Sequence, residues 1–189
     1  DGYAQAIVCN SGNANTCNAD GEEIAEGMCA LVEGQTGIPA ADVVVASTGV
    51  IGQPLSLEPI RAGMPSLAEG LSEDGSLFAA QGIMTTDTVD KQIAYSFTLG
   101  GKECRIGARG KGVGMINPNM ATMLIFITTD AAISHAMLQK ALSADVKDSF
   151  NMVSVDGDTS TNDMVAVLAN GCAGNEPVTE PGKDFNAFR

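Results

Sequence analysis

The sequence contains no tryptophan, two tyrosines, six phenylalanines and a single histidine, His135. His135 falls in a helical-looking stretch, so no Ser–His or Cys–His catalytic pair can be assembled unless that one imidazole supplies it. Basic residues are scarce too. Ten Lys and Arg stand against 23 Asp and Glu, for a net charge of −13. Such acidity repels phosphate backbones, so nucleic acid is not an expected partner. Its plain consequence is solubility. No apolar run approaches the roughly 18 residues of a membrane span, and the start lacks the basic and apolar pattern of a signal sequence. The chain opens at Asp1 and not at a methionine, which leaves room for a longer N-terminal region.

Cysteine use excludes more. Cys9, Cys17, Cys29, Cys104 and Cys172 form no CxxC pair, so a metal site is not expected. An odd number argues against a complete disulfide framework, and the expectation is reduced thiols in a cytosolic protein.

What is present is enough for a sizeable core: 189 residues, 44% hydrophobic, which suggests one domain or a pair of small ones. Twenty-two glycines without a repeat period read as tight turns. Ala6 to Cys9 predicts a strand, followed by a turn-rich stretch from Asn10 to Asn15. Ile24, Met28, Leu31 and Val32 at helical spacing predict a helix over Glu22–Gln35, with Gly37 past its end. Val43–Ala46 predicts a buried strand that breaks at Ser47-Thr48-Gly49. A helix is expected across much of Leu57–Gly70, divided or kinked at Pro65, and a shorter one before Gly82.

The second half opens with an alternating strand, Ile93–Leu99. A Gly100-Gly101 turn leads into Glu103–Ile106. Gly110 to Gly114 reads as a flexible loop. Thr122–Thr129 is a near-continuous apolar strand, which must be covered on both faces. Ser134–Ser149 reads as a helix with Ser134 as N-cap, Met164–Ala169 as a last strand, and the tail from Asn175 as a loop. This mixed order indicates a layered α/β fold.

Several segments could carry chemistry. Pro118-Asn119-Met120-Ala121-Thr122 runs a turn directly into the apolar strand. A threonine is a poor nucleophile until a base takes its proton. At a new N-terminus it carries its own base, an α-amine with a pKa of about 7.7–8.0. Small Ala121 would leave the preceding carbonyl open to attack. Against this, threonines commonly open strands. Thr48-Gly49, at a strand end flanked by glycine, could present a hydroxyl and a backbone N–H to one oxyanion, or be an ordinary turn. Met84-Thr85-Thr86-Asp87-Thr88 is a hydroxyl cluster suited to a small ligand or to a capped turn. Lys111 lies between Gly110 and Gly112, where its ammonium could pair with a carboxylate. The GxxxxGK[ST] spacing of a phosphate loop is absent. Asp156 to Asp163 imitates a calcium loop but has Thr161 at its sixth position and Val167 at its twelfth. It reads as a turn held by Asx and hydroxyl bonds.

Taken in order, NSGNAN, ASTGVIG, MTTDT, KGVGMINPNMATML and VDGDTSTND resemble the ornithine acetyltransferase family, from about Ala4 to Asn175. The KGVGMINPNMATML stretch is the most specific of the five. The resemblance implies the layered α-β-β-α sandwich shared with threonine-nucleophile aminopeptidases. It implies a precursor, of which residues 1–189 are a single catalytic region, that cuts itself between Ala121 and Thr122. It implies that Thr122 is the nucleophile, that Thr48 and Gly49 form the oxyanion hole, and that Thr85 and Lys111 contact substrate. The implied activity is acetyl transfer from N-acetylornithine to glutamate by a ping-pong route through acetyl-Thr122. Acetyl-CoA is a second potential donor, and no cofactor or metal is implied. The implied partner is the cleaved companion chain, in a cytoplasmic heterotetramer of two chain pairs. By the same resemblance, members are about twice as long and bind ornithine partly through a C-terminal half. They more often carry alanine where Arg109 stands.

Two other readings fit the residues alone. A threonine-nucleophile aminopeptidase or amidase of related fold would use water as acceptor and release free acid. A non-catalytic binding domain would never cut.

Overall fold

A computed structural model describes residues 2–114 and 123–189. The chain forms two compact units, Asp1–Asp90 and Lys91–Arg189. The proposed cut site, Ala121 and Thr122, lies outside the described residues.

The first unit is built on a parallel strand pair. β1 (Ala6–Asn13) and β2 (Val43–Val50) run in register from Ala6 opposite Val43 to Asn13 opposite Val50. Between them runs α1 (Gly21–Thr36). Its apolar stripe puts Met28 and Val32 against Val8 and Met64, with Leu31, Val43, Val45, Leu57 and Ile60 around them. Glu22 and Glu23 sit in its first turn, where the helix dipole favours negative charge. Gly37 ends it at φ 75°, donating its N–H to Glu33 O, the left-handed cap that glycine takes without steric cost. α2 (Glu58–Glu69) and α3 (Ser76–Gly82) follow. A β-carbon on Gly27 would lie 2.7 Å from Leu57 Cδ2, so the Leu57 side chain at the start of α2 packs directly on α1 at this glycine. Pro65 lies inside α2, which continues through it to Glu69.

The second unit is a four-stranded mixed sheet of β3 (Lys91–Leu99), β4 (Lys102–Lys111), β5 (Leu124–Thr129) and β6 (Met164–Ala169). They lie in sequence order. β3–β4 and β4–β5 are antiparallel, and β5–β6 is parallel. The β3–β4 hairpin turns on Gly100 (φ 54°) and Gly101 (φ 83°), the pair of positive φ values that a tight hairpin needs. The β5–β6 connection contains α4 (His135–Asp145). Ser134 caps α4, its Oγ accepting from the Met137 N–H at 3.4 Å, as its position predicts. Leu99, Cys104, Ala131, Ala141, Val178 and Phe185 form the buried core. Buried Asn175 ties the tail to it. Its Oδ1 accepts from Ala132 N at 2.8 Å, and its Nδ2 donates to Ala132 O (3.1 Å) and Glu176 O (2.8 Å).

Four elements differ from expectation. β1 and β2 run on through Asn10–Asn13 and Ser47–Val50, where turns were expected. The partner strand accounts for this, because the ladder stays in register to its end. β4 likewise extends through Gly110 and Lys111, held by Ile125 and Leu124 of β5. The tail carries a further helix, α5 (Lys183–Phe188), anchored by buried Phe185. Among the described residues no helix is long and apolar enough to cross a membrane. The architecture is α/β with a parallel pair and a mixed sheet.

Candidate active site

Thr48 and Gly49 sit near the C-terminal end of β2, opposite Ser11 and Gly12 of β1. The two backbones approach unusually closely. A β-carbon on Gly49 would fall 2.1 Å from Gly12 C and 2.5 Å from Asn13 N, and Gly49 itself holds φ 131°. Glycine is therefore required there twice over, by space and by torsion. Ser47 and Thr48 are buried. Ser47 Oγ donates to Asn13 O at 3.2 Å, and Asn10 Nδ2 donates to the same carbonyl at 2.7 Å. Asn13 Nδ2 in turn donates to Pro54 O (3.0 Å) and Gln53 O (3.3 Å). Side chains thus supply the bonds that fasten the segment after β2 to the end of β1. This explains the NSGNAN composition without any turn in it. Thr48, only 1% exposed, is fixed on this strand end beside Gly49, a threonine hydroxyl next to an N–H in a rigid backbone.

Cys9 lies one residue before this polar run, opposite Ala46. Burial pushes its thiol up to about 11, so it is a poor candidate for a nucleophile at neutral pH. Thr85 is in the same unit, after α3. It is exposed, and its N–H points to Asp87 Oδ2 at 3.5 Å, a turn bond. Thr86 is exposed as well.

In the second unit Lys111 closes β4 at 5% exposure. A lysine so buried needs a polar or anionic partner for its ammonium. Its register partner is Leu124, two residues beyond Thr122. Gly110 lies against Ile125, whose terminal Cδ1 would be 2.4 Å from a β-carbon there and would have to turn aside. Gly112, at φ 153°, turns the chain away. Arg109 pairs with Phe126 across the same ladder and with Gln92 on its other side.

Sequence reading missed Asp163. The Met123 N–H donates to its Oδ1 at 2.8 Å, and Met164 N donates to Met123 O at 2.9 Å. The residue that follows Thr122 is thus clamped on both of its backbone polar groups. Burial raises the Asp163 carboxyl above the ordinary aspartate value, opposed by the Met123 N–H and the Ser160 hydroxyl. Met123 is itself 7% exposed and packs on Ile125 and Phe150. The preceding loop is the Asx and hydroxyl turn expected. Asp158 N donates to Asp156 Oδ1 at 3.3 Å, and Asn162 N to Ser160 Oγ at 3.2 Å. The available signal was an acid immediately before a strand that pairs with the strand opening after Thr122.

Structure thus brings Thr48 together with Gly49, and separately brings Lys111 and Asp163 to the start of β5. These are the features of an α/β protein with polar groups gathered at strand ends. The chain belongs to the ArgJ family, whose profile matches residues 1–189. It is 51% identical over 188 residues to the arginine biosynthesis bifunctional protein ArgJ of Symbiobacterium thermophilum, covering 99% of this chain and 47% of that protein. The ArgJ of a Synechococcus strain is 50% identical over 184 residues, covering 95% and 43%. The chain therefore spans about half the length of the curated relatives it matches. The crystal structure of ArgJ from Bacillus halodurans superposes with a TM-score of 0.54 at 37% identity, covering 61% of each chain.

Proposed function

We propose that the chain is the part of an ornithine acetyltransferase that carries its nucleophile, and that the whole protein moves an acetyl group from N-acetylornithine to glutamate. Supporting the assignment are the ArgJ membership and the ~50% identity to proteins named for arginine biosynthesis. The observation that carries the site is buried Lys111 in register with Leu124, which sets a cation at the start of β5, two residues past Thr122 in the sequence.

In this reading the precursor cuts between Ala121 and Thr122, freeing the Thr122 α-amine. Thr122 Oγ then attacks the acetyl carbonyl while the amine takes its proton. The oxyanion meets the Thr48 hydroxyl and the Gly49 N–H, and one such donor is worth on the order of 100- to 1000-fold in rate. The amine returns its proton to the ornithine nitrogen, which leaves, and acetyl stays on Thr122 as an ester. The glutamate amine attacks that ester and restores the hydroxyl. Lys111 pairs with the α-carboxylate that both amino acids share, and Thr85 gives a further substrate contact. Acetyl-CoA is a second donor in this scheme, and no cofactor or metal takes part. The fold is the layered α-β-β-α sandwich, assembled in the cytoplasm with the companion chain as a heterotetramer.

The test uses full-length protein and N-acetylornithine labelled in the acetyl group. Without glutamate, label should accumulate on the chain beginning at Thr122 as a base-labile ester, and added glutamate should discharge it as N-acetylglutamate. Release of free acetate, with glutamate unlabelled, would favour the hydrolase reading instead.

A further inference from the structure

An oxyanion hole works only when its donors are held in place before the charge forms, and a shift of about 1 Å can cost on the order of a hundredfold in rate. The local sequence does not supply that rigidity at Thr48-Gly49. Gly49 holds φ 131° and Gly52 φ 76°, Val50 is 55% exposed, and β2 ends at Val50. Glycine has the widest torsional freedom of any residue. The restraint has to come from elsewhere in the first unit.

One residue supplies it from both sides. The Gly12–Asn13 peptide lies directly against Gly49, where a β-carbon would fall 2.1 Å from Gly12 C and 2.5 Å from Asn13 N. Ahead of Thr48, Ser47 Oγ donates to Asn13 O at 3.2 Å, and Asn10 Nδ2 steadies the same carbonyl at 2.7 Å. Beyond Gly49, Asn13 Nδ2 donates to Gln53 O (3.3 Å) and Pro54 O (3.0 Å). Both of these acceptors are carbonyls, which fixes the amide with its nitrogen toward them. Asn13 Oδ1 is buried with no hydrogen-bond partner among the described residues, so the nitrogen alone carries the clamp. Asn18 Nδ2 also donates to Gln53 O, at 2.9 Å, but Asn18 lies in the loop before α1.

We propose that Asn13 is a positioning residue for the Thr48-Gly49 oxyanion hole. Its carbonyl and its side-chain amide hold the chain ahead of Thr48 and after Gly49, and its peptide sets where the Gly49 backbone can lie. The inference rests on Thr48 and Gly49 serving as that hole. Asn13 acts through the strand end and not on substrate, and no bond or proton changes at it. Its effect falls on the transition state, where the oxyanion exists, and not on the bound substrate. Removing it should therefore lower kcat and leave KM nearly alone.

The experiment is a double-mutant cycle of Asn13→Ala with Thr48→Ala in the full-length protein, with rates taken per mole of cut protein. Asn13→Ala should lower kcat for acetyl transfer by about ten- to a hundredfold, with KM for N-acetylornithine within about twofold. In the Thr48→Ala background the same change should cost less than about threefold, because residues that act as a unit are not additive. Asn18→Ala removes the other clamp on Gln53 O and should leave kcat within about twofold, which separates positioning from simple tethering of the loop. Full additivity with Thr48→Ala, an equal loss in Asn18→Ala, or a normal kcat for Asn13→Ala beside a slow Thr48→Ala would each overturn the proposal. If Asn13→Ala yields no cut protein, Ser47→Ala, which removes one donor to the Asn13 carbonyl, is read in the same cycle. Its kcat should fall about fivefold, the usual worth of one hydrogen bond, and a normal kcat there would equally overturn the proposal. Thr48→Ala with a normal kcat would instead overturn the oxyanion-hole reading, and with it this one.

Discussion

Gly49 faces Gly12 across the parallel β1–β2 pair so closely that a β-carbon on it would lie 2.1 Å from the Gly12 carbonyl carbon. The contact is backbone to backbone, so no side-chain rotation can relieve it. Gly49→Ala should therefore cost well over the ~1 kcal/mol typical of glycine at a positive φ. Gly37 provides the control. It also has positive φ, 75°, but nothing lies within 4 Å of its would-be β-carbon. Denaturant unfolding should show Gly49→Ala losing at least twice the stability lost by Gly37→Ala. Equal losses would mean that the strand ends can separate without cost.

Lys111 tests substrate recognition. Lys111→Met should lower kcat/KM for N-acetylornithine by about ten- to a hundred-and-fiftyfold, the worth of a hydrogen bond to a charged group. The α-amide of that substrate lacks the carboxylate charge and should scarcely distinguish wild type from variant. Equal losses on the charged and amidated donors, measured on cut and folded protein, would reduce Lys111 to a loop-shaping residue.

Cys9 gives a prediction in pH. Its thiol is raised from 9.0 to about 11 by burial, so at pH 8 only about one molecule in a thousand carries the thiolate that reacts. Iodoacetamide should label exposed Cys17 and Cys172 and leave Cys9 unmodified until the chain unfolds. The linked effect has a definite sign. Between pH 9 and 11 the unfolded chain has released this proton and the native one has kept it, so stability falls as pH rises through that window. Flat stability there, or early labelling of Cys9, would show that the thiol is not desolvated.

The elements that local pattern decides were legible in the sequence. α1 follows from Ile24, Met28, Leu31 and Val32, because a helix closes its bonds within its own sequence. The apolar run after Thr122 marked β5, and Ser134 marked the start of α4. What misled were segments whose structure depends on a distant partner. Asn10-Ser11-Gly12-Asn13 looks like a turn, and only the register with Ser47–Val50, nearly forty residues on, makes it a strand. Gly110-Lys111 is drawn into β4 by β5 in the same way. The tail helix holds by seating Phe185 in the Leu99 core, which six residues of local sequence could not announce. Asp163 went unnoticed because its role is set by Met123, forty residues earlier. Thr48, Gly49, Thr85, Lys111, Ala121 and Thr122 are grouped as a proposed set only by the ordered motifs, since no local pattern links them.

The central claim is that the chain cuts itself before Thr122 and uses that threonine. The most direct measurement is N-terminal sequencing and intact mass of full-length protein beside its Thr122→Ala variant. Wild type should separate into two chains, the second beginning Thr-Met-Leu-Ile. The variant should remain one uncut chain, since no hydroxyl is left to attack the Ala121 carbonyl. Cutting of the variant at an unchanged rate, or a wild-type chain that starts elsewhere, would contradict the account.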